Sequence, residues 1–331
     1  MSRSLSIAVV QGGPSSEAEV SRASATSVAR ALTDAGHRAV RLELDAFLAD
    51  SLRTGGYELA FPTTHGAVGE DGSLQGLLEC LDVPYVGSGV LASALAMNKR
   101  VAKVMFASAG VPVARGLHLV RGKGDASASA RRVRSELGER VVVKPCSSGS
   151  AIGVTRFDEG GSEVELAQAI ESGWAVDEVV LVESFVRGRE VTCGVIDLHG
   201  EEARALPPTE VRAPADAFYT YQARYAPGRS QHFCPAPLAE TVTRRVQELA
   251  VAAHRALGCR DLSRVDFVVG EGPDDVVVLE VNTLPGFTDT SLYPEAAAVA
   301  GIPMAELCRK LAESARSRGP ARRNAAIPLP R

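Results

Sequence analysis

Apolar residues recur along this chain in two rhythms, and their succession sets the order of elements. Short continuous apolar runs at residues 6–10, 39–44, 59–62, 140–144, 178–186, 191–196, 264–269 and 276–281 predict strands. Helical spacing marks 19–35, 74–81, 92–109, 126–137, 238–257, 294–300 and 303–315. The chain opens with a strand, a glycine turn, a helix and a second strand, which predicts an open parallel α/β sheet. Its turn, Gln11-Gly12-Gly13-Pro14, lacks the G-x-G-x-x-G spacing, so a dinucleotide fingerprint is not present. His65 follows the strand at 59–62, at the end where open α/β sheets bind ligands; a purely structural histidine is the other reading.

The most informative pattern is the paired run at 264–269 and 276–282, joined by the polar turn 270–275. Side chains alternate along a strand, so Arg264 and Asp266 share one face, and Glu280 and Asn282 share one face of the second strand. A hairpin that aligns those faces gathers two carboxylates, an amide oxygen and a guanidinium. Unpaired carboxylates are costly to bury among apolar strands. Asp266, Glu280 and Asn282 are oxygen ligands suited to Mg²⁺ that also holds phosphates. A solvated hairpin face is the alternative.

Composition acts mainly by exclusion. A net charge of −4 gives no electrostatic case for nucleic acid or an anionic membrane as partner. The six cysteines are scattered without a C-x-x-C pair, so neither a disulfide framework nor a zinc site is expected. The first apolar run, 5–10, is too short for a signal-peptide core, and no run reaches membrane-spanning length. A reducing cytoplasm is therefore the expected location. With 331 residues, two or three domains fit.

Lysine is scarce, at five residues against 31 arginines, which draws attention to Lys144. It ends a predicted strand, before Pro145 and the Gly/Ser loop 146–153. Backbone N–H groups of such a loop can cradle phosphate, although the Walker spacing is absent. Backbone groups after Glu183 could pair with an adenine, and Glu190 could accept from ribose hydroxyls; a solvated charge is the other reading of each. Phe218, Tyr219, Tyr221 and Tyr225 lie in a segment between Pro214 and Pro227-Gly228 that reads as a long binding loop or lid.

Taken in order, several motifs resemble the D-alanine–D-alanine ligase family over about residues 5–310. They are Gly12-Gly13-Pro14-Ser15-Ser16-Glu17-Ala18-Glu19-Val20-Ser21, His65-Gly66 with Glu70-Asp71-Gly72, Pro84-Tyr85-Val86-Gly87, and Met97-Asn98-Lys99. Val143-Lys144-Pro145 with its loop, 218–225, 231–235 and Leu279-Glu280-Val281-Asn282 leading to Gly286 complete the set.

The resemblance implies an ATP-grasp fold of mixed α/β and α+β class. An open α/β domain at 1–95, a central α+β domain at 96–190 and a C-terminal α+β domain at 191–315 are expected. The Arg/Pro-rich tail at 316–331 is read as disordered. It also implies roles. Lys99, Lys144, Glu183, Val186 and Glu190 would hold ATP, with Arg224 reaching its phosphates from the lid. Asp266, Glu280 and Asn282 would bind two Mg²⁺, for which Mn²⁺ can substitute. Glu19, His65, Ser150 and Tyr225 would line the first amino-acid site, and Arg264, Gly286, Ser291 and Leu292 the second.

The activity implied is ATP-dependent joining of two D-alanines through an acyl phosphate, by a cytoplasmic homodimer supplying peptidoglycan precursors. The alternative is a related ligase with D-Ser or a specialised amino acid second. No protein nucleophile is needed, and no Ser-His-Asp arrangement is read from the chain. A hydrogen-bonded link Glu19–Ser150–Tyr225 is expected to pin the lid. Departures from the family pattern are the loop Ser147-Ser148-Gly149-Ser150-Ala151 and the lid residues Thr220, Gln222 and Arg224.

Overall fold

The computed structural model describes residues 3–147, 149, 151–212, 231–272 and 274–320. β1 (Ser6–Gln11) is the middle strand of a parallel sheet, between β2 (Arg38–Glu43) and β3 (Leu59–Pro62). Its unbroken apolar run is buried because both faces of the sheet are covered. Helices Leu48–Thr54 and Ser73–Cys80 close one face through Leu48, Leu52, Leu74 and Leu78. Helix Ala18–Asp34 lies on the other face, where Val28 and Leu32 share a core with Tyr293, Leu307 and Leu311.

Those last three residues come from the final helices, Leu292–Val299 and Met304–Arg318. The chain thus returns at its end to the sheet where it began. The last helix also passes residue 316, where a tail is predicted. Arg318 donates to Asp261 Oδ1 and Oδ2 at 2.6 and 2.8 Å and to the Tyr85 carbonyl at 2.8 Å. Asp261 is fully buried and also accepts from Gly87 N–H and the Ser314 hydroxyl. Further hydrogen bonds to the carboxylate favour such a buried ion pair, and both Asp261 oxygens have them here. Composition at 316–318 could not reveal a partner 57 residues away in sequence.

The central sheet is antiparallel, in the order β4 (Gly116–Val120), β7 (Val179–Ser184), β5 (Val141–Pro145), β6 (Thr155–Phe157). Helices Ala126–Leu137 and Glu163–Val176 cover one face, so Val141, Val143, Val180 and Val182 point into a core with Ala130 and Ile170. The intervening positions, Val142, Lys144 and Glu183, face the opposite way.

The third sheet runs β11 (Gln231–Phe233), β10 (Thr209–Arg212), β8 (Arg189–Asp197), β12 (Asp261–Val269), β13 (Val276–Asn282). The short β9 (Arg204–Ala205) pairs with β8. Helix Glu240–Leu257 backs it through Val246 and Leu249, together with Ala102 and Phe106.

The helix predicted over 92–109 is two helices, Val90–Met97 and Lys99–Ser108. Asn98 adopts an extended conformation (φ −94°, ψ 96°), and its side chain accepts from Val101 N–H at 3.2 Å. Asparagine competes well for that capping position, and the apolar pattern alone does not register it. The break makes Lys99 the first residue of the new helix, with its N–H bonded to the Cys146 carbonyl at the start of the Gly/Ser loop.

Candidate active site

β12 and β13 supply the floor of a cleft of about 270 Å³ between the three sheets. Arg264 is paired opposite Asn282, and Asp266 opposite Glu280. The next pair is Phe267 with Val278, so Leu279 is an extra residue in the ladder. This bulge reverses the alternation of β13. Val276 and Val278 point into the core ahead of it, whereas strict alternation from them would bury Glu280 and Asn282 as well. Bulges re-aim side chains beside active sites, and this one turns both residues to the cleft.

The cations opposing these acids come from three elements. Arg264 donates Nε and Nη2 to the two oxygens of Asp266 at 2.7 and 2.8 Å. Lys99 Nζ lies 3.2 Å from Glu280 Oε2. Lys144 stands opposite Leu181 in the β5–β7 ladder, a diagonal step from Glu183, and donates to Glu183 Oε2 at 2.7 Å. Burial works to raise the Glu183 carboxyl, but Lys144 and Lys103 together hold it down at about 2.

The opposite wall belongs to the N-terminal sheet. His65 is buried, and its Nε2 has no partner among the described residues. Burial lowers its pKa and so favours the neutral ring, with Arg264 adding to this and Glu17 opposing it. Glu70, which accepts from Gly66 N–H at 2.8 Å, is pushed up to about 8 by burial first and then by Glu17.

Thirteen expected site residues therefore meet in one cleft. They are His65, Lys99, Lys144, Glu183, Val186 and Glu190, with Arg264, Asp266, Glu280, Asn282, Gly286, Ser291 and Leu292. Ser150, Arg224 and Tyr225 lie outside the described residues, as do Thr220 and Gln222.

Glu19 is a correction. Its side chain is 85% exposed and pairs with Arg22 on the outer face of helix Ala18–Asp34. Ser21, Ser24 and Val28 form the buried stripe of that helix, and Glu19 falls off it. Glu17, four residues before Ser21, falls on it, is buried and lines the cleft. A Cβ built on Gly149 would lie 3.5 Å from Glu17 Oε2, so this carboxylate, not Glu19, abuts the Gly/Ser loop. Helical spacing sets the two carboxylates on different faces, and the fold decides which face meets the loop. Glu70 and Arg156 are further lining residues that sequence motifs did not single out by role.

A Ser-His-Asp chain does exist, contrary to expectation: His254 Nδ1 lies 2.7 Å from Ser263 Oγ and its Nε2 3.2 Å from Asp197 Oδ2. Ser263 and His254 are fully buried and none of the three lines the cleft, so the chain ties helix to sheet rather than attacking a substrate.

As a metal site the hairpin offers two carboxylates and one amide oxygen. Among the described residues no cluster of three or more acids, histidines or cysteines gathers to form an all-protein cage. Few protein ligands, all hard oxygens, fit Mg²⁺ held jointly with phosphates. Asn282 Oδ1 already accepts from Leu284 N–H at 3.0 Å, which orients it.

Two α+β lobes, Lys144 on one and Lys99 with the paired acids on the other, closed by a third α/β domain, define an ATP-grasp ligase. Residues 48–88 match the family described as D-ala D-ala ligase N-terminus, and residues 105–313 match the D-ala D-ala ligase C-terminus. The D-alanine–D-alanine ligase of Methylocella silvestris is 46% identical over 314 residues, covering 93% of this chain and 97% of its own. That of Desulforudis audaxviator is 44% identical, covering 94% and 99%. Among solved structures, the Bacillus anthracis D-alanine–D-alanine ligase complexed with ATP superposes with a TM-score of 0.79 at 28% identity, over 95% of this chain and 99% of that one. The VanG D-Ala:D-Ser ligase of Enterococcus faecalis gives 0.80 at 29% identity, over 95% and 100%. The chain belongs to the D-alanine–D-alanine ligase family.

Proposed function

We propose that this enzyme joins two D-alanines with cleavage of ATP to ADP and phosphate, supplying a dipeptide for peptidoglycan precursors in the cytoplasm. The observation that carries this is the convergence of Lys99, Lys144, Asp266 and Glu280 on one cleft whose far wall holds Glu17 and His65. Relatives at 42–46% identity are D-alanine–D-alanine ligases, which favours D-alanine over D-Ser as the second substrate. A homodimer is part of the reading and rests on the family resemblance. No helix among the described residues is long and apolar enough to cross a membrane.

Lys99, Lys144, Glu183, Val186 and Glu190 hold the nucleotide in this reading. Glu17 takes the role expected of Glu19 and offers a carboxylate to the ammonium of the first D-alanine. The carboxylate of that D-alanine attacks the γ-phosphate, and ADP leaves. Asp266, Glu280 and Asn282 would hold two Mg²⁺ ions, which would supply charge neutralisation for the phosphoryl transfer. The amine of the second D-alanine, beside Ser291 and Leu292, then attacks the acyl phosphate. Arg264 and the Gly286 N–H stabilise the oxyanion, and phosphate leaves as the amide forms. The five donors of a guanidinium let Arg264 keep Asp266 on one edge while serving a ligand on another. Ser150, Arg224 and Tyr225, which lie outside the described residues, take in this reading the loop and lid roles that the family resemblance implies.

The test is ATP-dependent phosphate release with D-Ala, D-Ser, D-lactate and L-Ala, with mass analysis of products. D-Ala-D-Ala as main product is expected; no release with any D-amino acid overturns the reading.

A further inference from the structure

Lys103 is a buried ammonium that no step above uses. It is 7% exposed, lies on helix Lys99–Ser108 and reaches both lobes of the cleft. Its Nζ donates to the Val278 carbonyl on β13 at 2.9 Å and stands 2.8 Å from Glu183 Oε1 on β7. The same carboxylate accepts from Lys144 at 2.7 Å through its other oxygen. One glutamate, 1% exposed, is therefore flanked by two lysines, and only Lys144 lines the cleft.

A single ammonium would satisfy the charge of Glu183. With one lysine, that pair would be neutral, and the lysine facing the cleft would be spent on its own counter-ion. With two, the group carries one net positive charge directed at the cleft. The contact to Val278 has a second consequence. The N–H of Val278 is taken by the Pro112 carbonyl, so Lys103 completes the outer edge of β13 just before the bulge that aims Glu280.

We propose that Lys103 is a positioning residue for the nucleotide: it neutralises Glu183 so that the charge of Lys144 serves the phosphates, and it fixes β13 against β7. This rests on the ATP reading above. Glu183 stays ionised at about 2 despite its burial, which agrees with two cations acting on one carboxylate.

The experiment measures ATP affinity by titration calorimetry, and KM for ATP and D-Ala, in the full chain with Mg²⁺. Lys103→Met should weaken ATP binding about tenfold or more, with KM for D-Ala changed less than about twofold. Lys103→Gln, which keeps a donor for the Val278 carbonyl but carries no charge, should weaken ATP binding about as much as Lys103→Met. A packing role alone predicts near-native binding for the glutamine variant, because it keeps bulk and a donor at that position. Lys103→Arg should fall nearer to native than Lys103→Met. Unchanged ATP affinity in Lys103→Met, near-native affinity in Lys103→Gln, or an arginine variant no better than methionine each overturns the proposal. Should Lys103→Met not fold, Lys103→Gln decides alone: ATP affinity about tenfold weaker supports the proposal, and affinity within about threefold of native overturns it. Native protein that binds no ATP would instead refute the proposed function, so the two failures are distinct.

Discussion

Asp266 faces Glu280 across the β12–β13 ladder only because Leu279 bulges out of it. The pair gives the cleft its acidic floor, with Arg264 and Lys99 as present counter-ions. Exchange of Glu280 to Gln removes one hard, charged ligand while preserving shape. The Mg²⁺ concentration for half-maximal activity should rise about tenfold or more. A metal titration of the variant at saturating ATP checks this, and a native-like titration curve would exclude Glu280 as a ligand.

Glu17 and Glu19 differ by two residues and by everything else: one is buried against the Gly/Ser loop, the other lies in solvent beside Arg22. A hydrogen bond to a charged group contributes about 1.5–3 kcal/mol, so Glu17→Gln should lower kcat/KM for D-alanine about 10–100-fold. Glu19→Gln should stay within about twofold. Steady-state kinetics of both variants decide between the carboxylates.

Glu70 ties stability to pH. Burial, aided by Glu17 and Glu280, raises its pKa from 4.5 to about 8. Below 4.5 the folded and unfolded chains are both protonated and no penalty applies. Between 4.5 and about 8 the unfolded chain ionises while the folded one does not, so this contribution to stability is lost as pH rises. Glu70→Gln should flatten the fall in Tm between those values. A slope identical to native in thermal melts across that range would remove Glu70 as its source.

Arg318 and Asp261 join the last helix to β12 and to the Tyr85–Gly87 turn of the first domain. Removing one partner leaves the other charge buried. Arg318→Ala should therefore cost about 3–5 kcal/mol of unfolding free energy. Denaturant unfolding measures it, and a loss under about 1 kcal/mol would mean that the pair behaves as a surface bridge.

Much of the fold was legible because periodicity and capping are local. The parallel sheet followed from the opening succession of strand, glycine turn, helix and strand, the 126–137 helix matched its predicted ends, and the hairpin carrying Arg264, Asp266, Glu280 and Asn282 was read as a pair of strands. Residue types also announced their chemistry, since carboxylates and a lysine beside glycines are poor choices for apolar strands unless a ligand uses them.

Three things lay beyond the sequence, each because a partner far along the chain decides it. The bulge at Leu279 depends on how β13 meets β12, which strict alternation cannot show. The choice of Glu17 over Glu19 depends on which face of a helix meets the Gly/Ser loop more than a hundred residues later. Lys103 reads as one more polar position on an amphipathic helix, and only folding sets its ammonium between Glu183 and the Val278 carbonyl. Sequence determined which groups were available; the tertiary structure, by burying them together, decided which charges must answer one another.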